Sequence, residues 1–127
     1  MTEIKIRDIT CRVTPQGPGI AEVLSDETAV TTAEAGGELL ADLYYNGYDA
    51  VILHERNIAP AFFDLRSGMA GEILQQASNF RMRLAVVGDF SKYESRSLHG
   101  FISESNRKGQ ILFVDSATEA AARLSKS

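Results

Sequence analysis

The sequence predicts an α/β fold, a mixed sheet of about five strands with about four helices around it. Three observations carry this. Continuous apolar runs at residues 50–53, 84–87 and 111–114 read as buried strands. Stretches with helical spacing separate them, which is the pattern of parallel strands covered on their faces. An alternating stretch and a turn cluster near the start add a hairpin, so the sheet is mixed.

Ile4, Ile6, Ile9, Cys11 and Val13 alternate, with a change of phase near Asp8 and Ile9 that predicts a bulge or bend within one strand. Pro15-Gln16-Gly17-Pro18-Gly19 is a turn cluster, and residues 20–24 return as a short strand. Thr31-Thr32-Ala33-Glu34 matches a capping box with Thr31 as N-cap. Leu39, Leu40, Leu43 and Tyr44 give that helix an apolar face, and Asn46-Gly47 ends it. Gly36 and Gly37 lie inside it at a cost of about 1 kcal/mol each relative to alanine, which a close packing contact would explain.

The strand at 50–53 leads through His54-Glu55-Arg56-Asn57 to Ala59-Pro60, where proline disfavours helix before it and can start one itself. Leu65, Met69, Ile73, Ala77 and Phe80 then share one face of a helix that ends near Phe80. Gly88-Asp89-Phe90 follows the strand at 84–87. Ser91-Lys92-Tyr93-Glu94 is a second capping box, opening a helix with Leu98, Phe101 and Ile102 on one face and closing at Lys108-Gly109. Beyond the strand at 111–114, Ser116-Ala117-Thr118-Glu119 is a third capping box, and Ala120, Ala121 and Leu124 belong to the last helix. The order is β-β-α-β-α-β-α-β-α. No repeat or linker interrupts it, so the 127 residues read as one domain.

A formal net charge of −4 argues against nucleic acid or an anionic membrane as partner, because phosphate binding needs clustered lysine and arginine. Arg81, Arg83, Arg96, Arg107 and Lys108 are scattered and read as solvated helix rims. The single cysteine, Cys11, excludes an internal disulfide or a cysteine metal cluster and reads as a small core residue. Met1-Thr2-Glu3-Ile4-Lys5 lacks the apolar region of a signal peptide, and no run approaches the ~20 residues of a membrane span, so a cytoplasmic protein is expected. His54 and His99 sit at no metal or triad spacing. There is no P-loop, G-x-S-x-G or G-x-G-x-x-G pattern, and no cofactor or metal is expected.

The turn through Phe62-Phe63-Asp64-Leu65-Arg66-Ser67-Gly68-Met69-Ala70-Gly71-Glu72-Ile73-Leu74 converts strand to helix. It places Asp64, Ser67 and Gly68 beside a helix N-terminus, where free N–H groups and the helix dipole favour negative charge. Ser67 has a structural reading as an N-cap and a functional one as a phosphoacceptor. Phosphate there would add about two negative charges where the dipole tolerates them, and would repel an acidic partner. Asp64 either competes as N-cap or orients the turn. Phe62 and Phe63 read as core, although an exposed pair beside Ser67 would anchor a partner. Arg66, Gly68 and Glu72 complete this candidate surface.

Asp89 and Ser91 follow a parallel strand, at the sheet end where open α/β folds bind ligands. Their plain readings are a turn aspartate and a helix cap. Asp64, Asp89 and Asp115 all follow predicted strands. Converged on one edge, they would offer oxygen ligands to Mg²⁺, and the chain would be a small-molecule or nucleotide binder or a metal-assisted hydrolase.

The element order, the turn Phe62-Phe63-Asp64-Leu65-Arg66-Ser67-Gly68-Met69 and the final segment from Gln110 to Ala121 resemble STAS domains. These are the bacterial anti-sigma factor antagonists and the cytoplasmic domains of sulfate transporters. The turn is similar to theirs with one residue inserted between Asp64 and Ser67-Gly68. In the antagonists the serine that begins the helix after the third strand is phosphorylated by a partner kinase, and this controls binding; the resemblance puts Ser67 at that position. Phe62-Phe63-Asp64-Leu65, Gly71-Glu72-Ile73-Leu74, Val86-Val87-Gly88-Asp89-Phe90-Ser91-Lys92-Tyr93 and Phe101-Ile102-Ser103-Glu104-Ser105-Asn106 are similar to an uncharacterised bacterial family, domain of unknown function 4180. The resemblances imply a STAS-like domain that acts as a non-enzymatic regulatory or protein-interaction module. Its partner would be another protein, with a kinase-like anti-sigma factor as the type. The sequence does not decide whether the chain dimerises.

Overall fold

A computed structural model describes residues 3–7, 9–13 and 19–126. Its six-stranded sheet comprises β1 (Glu3–Ile6), β2 (Ile9–Val13), β3 (Ile20–Val23), β4 (Ala50–His54), β5 (Arg83–Val87) and β6 (Ile111–Val114), lying side by side in that order. The pairings β1/β2 and β2/β3 are antiparallel; the remaining three are parallel. Among the described residues four helices accompany it: α1 (Ala33–Tyr45), α2 (Met69–Phe80), α3 (Arg96–Lys108) and α4 (Ala117–Leu124).

The strand count and order differ from the expected five. The phase change near Asp8 is a chain reversal, not a bulge. Ile6 pairs with Ile9, so the predicted first strand divides into β1 and β2. Arg7 takes the left-handed conformation (φ 53°) that such a two-residue reversal needs. The guanidinium of Arg7 bonds Asp42 at 3.1 Å and Glu38 at 3.3 Å on α1. Asp8 and residues 14–18, which include most of the Pro15–Gly19 turn cluster, lie outside the described residues.

The parallel strands are laid down in sequential order. Helices α1, α2 and α3 therefore all pack on one face, where Leu39, Leu43, Ile73 and Leu98 meet Val51, Leu53, Leu84, Val86 and Phe113. Among the described helices α4 alone lies on the other, with Ala120, Ala121 and Leu124 against Ile52, Ala85 and Leu112. Gly36 and Gly37 explain the approach of α1 to α2. A Cβ on Gly36 would stand 3.1 Å from both Ile73 Cδ1 and Val30 Cγ1, and one on Gly37 would overlap the amide of Gln76.

Two of the three capping boxes misplace the helix start by one or more residues. Thr32, not Thr31, caps α1, accepting from Ala35 N–H at 3.0 Å. Ser95, not Ser91, caps α3, accepting from Leu98 N–H at 3.1 Å. Ser91 is unavailable because Asp89 holds both its hydroxyl and its N–H. Ser116 caps α4 as expected. No described helix is long and apolar enough to cross a membrane.

Candidate functional site

Two connections at the C-terminal edge of the parallel strands carry most of the candidate residues. After β4 the chain makes three short 3-10 turns, Glu55–Asn57, Pro60–Phe63 and Leu65–Ser67; after β5 it makes one, Phe90–Lys92. Asp64 and Asp89 perform the same local task in the two connections. The Oδ1 atom of each accepts an N–H two residues on, from Arg66 and Ser91 respectively, at 3.1 Å. Arg66 Nε adds a bond to Asp64 at 3.2 Å, and the Ser91 hydroxyl donates to Asp89 at 2.6 Å.

These bonds hold both carboxyls below their ordinary range. For Asp64 the Arg66 side chain is the main cause and its N–H the next. For Asp89 the Ser91 hydroxyl leads and its N–H follows. Asp115 is exposed after β6. Among the described residues no three His, Cys, Asp or Glu side chains gather as a metal-holding group. Asp64, Asp89 and Asp115 therefore do not converge as the carboxylate-edge reading requires. The sequential strand order also lacks the reversal that opens a ligand crevice in doubly wound sheets.

Phe62 and Phe63 are buried, so they offer no exposed anchor beside Ser67. They fasten the turn to the core instead. Phe63 stacks on Tyr93 with ring centroids 5.2 Å apart and lies 6.0 Å from Phe90, which joins the two connections. Tyr93 is held in turn by its hydroxyl, which donates to Glu55, while Lys92 Nζ reaches Glu55 at 2.9 Å. Burial first, and the Glu55 carboxylate second, push the Tyr93 hydroxyl well above its ordinary value. Gly88 is small where Glu55 passes: a Cβ there would sit 3.0 Å from Glu55 Cβ.

What remains exposed from 62 to 72 is Asp64, Arg66, Ser67, Gly68, Gly71 and Glu72. The Ser67 hydroxyl donates to Ala61 C=O at 2.6 Å and accepts from Met69 N–H at 3.2 Å. Ser67 thus satisfies a helix-start donor, but it is not the N-cap residue. It ends the preceding 3-10 turn, and Gly68 caps α2 in the left-handed conformation (φ 80°). Arg66 extends into solvent with its side chain 92 % exposed, one residue from Ser67.

A polar cluster on the α4 side of the sheet is not among the candidates read from the sequence. Glu22 is buried, and its two carboxylate oxygens take Arg12 at 2.6 Å and His54 Nε2 at 2.9 Å. Burial pushes the Glu22 carboxyl up, but the bonds from Arg12 and His54 outweigh it and leave it below its ordinary value. The available signal is a carboxylate inside the apolar strand Ile20-Ala21-Glu22-Val23. Asn57, fully buried, holds the β3–α1 connection through Ser25 C=O at 2.8 Å and Glu27 C=O at 2.9 Å. Arg83 is likewise structural, bonding the carbonyls of Gly109, Leu124 and Lys126 at 3.0–3.2 Å where α3 and α4 end.

The family profile of the Domain of unknown function (DUF4180) matches residues 16–124. The chain belongs to this family. The match spans the whole parallel sheet, both connections with their candidate residues, and all four helices. No curated protein and no solved structure matches the chain.

Proposed function

We propose that this member of the family is a non-enzymatic regulatory or protein-interaction module whose docking surface is the exposed rim of residues 62–72, switched by phosphorylation of Ser67. The observation that carries the reading is the position of the Ser67 hydroxyl. It is exposed at the start of a 12-residue helix, on a turn fastened to the core by Phe62 and Phe63. A kinase can reach it, and a partner meets a surface with a fixed shape.

The chemistry of the switch follows from the bonds already made. Phosphorylation removes the Ser67 O–H, and with it the bond to Ala61 C=O. The new dianion lies near the free N–H groups that open α2 and competes with Asp64 for Arg66, while Glu72 in the first helical turn repels it. The local charge pattern is rearranged while the core stays in place. The STAS resemblance supports the same position, and a kinase-like regulator is the partner type it suggests.

The test is phosphopeptide mapping of the chain from its native cells, joined to co-purification with wild type, Ser67→Ala and Ser67→Asp. Phosphate at Ser67 and a partner retained by Ser67→Ala but lost by Ser67→Asp are expected. Absence of the phosphate, with the same partner held by all three forms, would remove Ser67 as the switch.

A further inference from the structure

The two edges of the sheet are treated differently. On the β6 edge the side chain of Asn106 from α3 stands in for a neighbouring strand: Oδ1 accepts from Phe113 N–H at 2.7 Å and Nδ2 donates to Phe113 C=O at 3.3 Å. That edge is closed where it would otherwise recruit another chain. At the opposite edge β1 pairs with β2 on one side, and no further described strand lies beyond it.

We propose that β1 is a homodimer interface, pairing antiparallel with β1 of a second copy about a two-fold axis at Ile4. In an antiparallel ladder, alternate residues turn their N–H and C=O toward the same neighbour. Ile6 and Ile9 close the β1/β2 reversal, so Ile6 and Ile4 face β2, and the backbone of Glu3 and Lys5 faces outward. With the axis at Ile4, Glu3 stands opposite the partner's Lys5, and Lys5 opposite the partner's Glu3. Both pairs fall at hydrogen-bonding positions, and Ile4, half-buried beside the core, meets the partner's Ile4 on the other face.

The register is selected by charge. Glu22 is opposite Arg12, and Arg12 opposite Glu3, so one row across β3, β2 and β1 already alternates in sign. The partner's Lys5 extends that row. A slip of the pairing by two residues in either direction opposes two lysines or two glutamates, which is unfavourable. A self-complementary strand suits the isologous contact of a two-fold dimer. Two strands of 4 residues bury less than the ~1,200 Å² of a standard interface, so the dimer is weak and concentration-dependent.

Sedimentation velocity on the full chain across a concentration series tests this. Wild type is expected to move toward twice the monomer mass as concentration rises. Glu3→Lys and Lys5→Glu should each stay monomeric alone, because each opposes like charges. Mixed together they should associate, since every pair across the two-fold is then complementary, and the double swap should associate too, less tightly than wild type because it opposes Arg12 with a second cation. Circular dichroism of each variant confirms that the exposed substitutions leave the fold intact. Wild type that stays monomeric throughout, or single variants that associate as wild type does, would overturn the proposal.

Discussion

The hydroxyl of Ser67 donates to the carbonyl oxygen of Ala61 at 2.6 Å, tying the start of α2 back to the 3-10 turn that contains Phe62 and Phe63. The same oxygen accepts from Met69 N–H. Ser67→Ala removes both bonds from a solvent-exposed site and is expected to lower stability by about 0.5–2 kcal/mol, read as a shift in the denaturant midpoint. Ser67→Asp keeps an acceptor beside Met69 N–H and gains from the helix dipole, so it should lose less than Ser67→Ala. Equal losses would mean that the bond to Ala61 dominates.

Glycines inside helices divide by what surrounds them. Gly36→Ala gains about 1 kcal/mol in helix propensity but forces a methyl to 3.1 Å from Ile73 and Val30. Overpacking of that kind costs about 1–3 kcal/mol, which cancels or exceeds the propensity gain, so Gly36→Ala is expected to be neutral to destabilising. Gly100 in α3 is exposed, and an alanine methyl there would meet nothing within 4 Å, so Gly100→Ala should stabilise by about 0.5–1 kcal/mol. Thermal melts of the two single variants check the packing of α1 on α2: Gly100→Ala should raise the midpoint, and Gly36→Ala should leave it unchanged or lower it.

Glu22 makes stability depend on pH. Its native carboxyl lies below its ordinary value, so its contribution is present above that value and fades as pH falls through the lower native one. Glu22→Gln leaves Arg12 and His54 without their shared anion. It should cost about 1–3 kcal/mol near neutral pH, kept to that range because Arg12 and His54 are partly exposed. Denaturant unfolding of wild type and Glu22→Gln from about pH 7 to about pH 3 should give a difference that shrinks toward the acid end. A constant gap would show that the carboxylate charge is not its source.

Cys11 is buried in β2, and burial pushes its thiol up to about 11. The thiolate is the reactive form, so alkylation by iodoacetamide at neutral pH should be slow in the native protein and fast in denaturant. Native labelling at the rate of a free thiol would mean that the β1/β2 hairpin opens readily.

Much of the fold is legible in the sequence because its signals are local. The apolar runs of β4, β5 and β6, the capping serine of α4 and the glycines after α1 and α3 depend on neighbours a few residues away. Where a local signal misleads, other bonds decide. The capping box places the start of α3 at Ser91, but Asp89 holds the Ser91 hydroxyl and the helix starts one turn later at Ser95. The phase change at Asp8 predicts a bulge or bend, and the chain reverses there instead. The ion pairs of Arg7 with Glu38 and Asp42 come from residues more than thirty positions away and favour the reversal.

The candidate site divides in the same way. The sequence by itself determined that a strand-to-helix turn carries Asp64, Ser67 and Gly68, because backbone geometry and polar turn residues announce such a turn wherever it falls. Only the tertiary structure decided that Ser67 remains exposed and that the three aspartates stay apart. It alone paired Glu22 with Arg12 and His54. Burial and long-range pairing depend on which strands become neighbours, and that choice belongs to the packing of the whole sheet rather than to any segment of it.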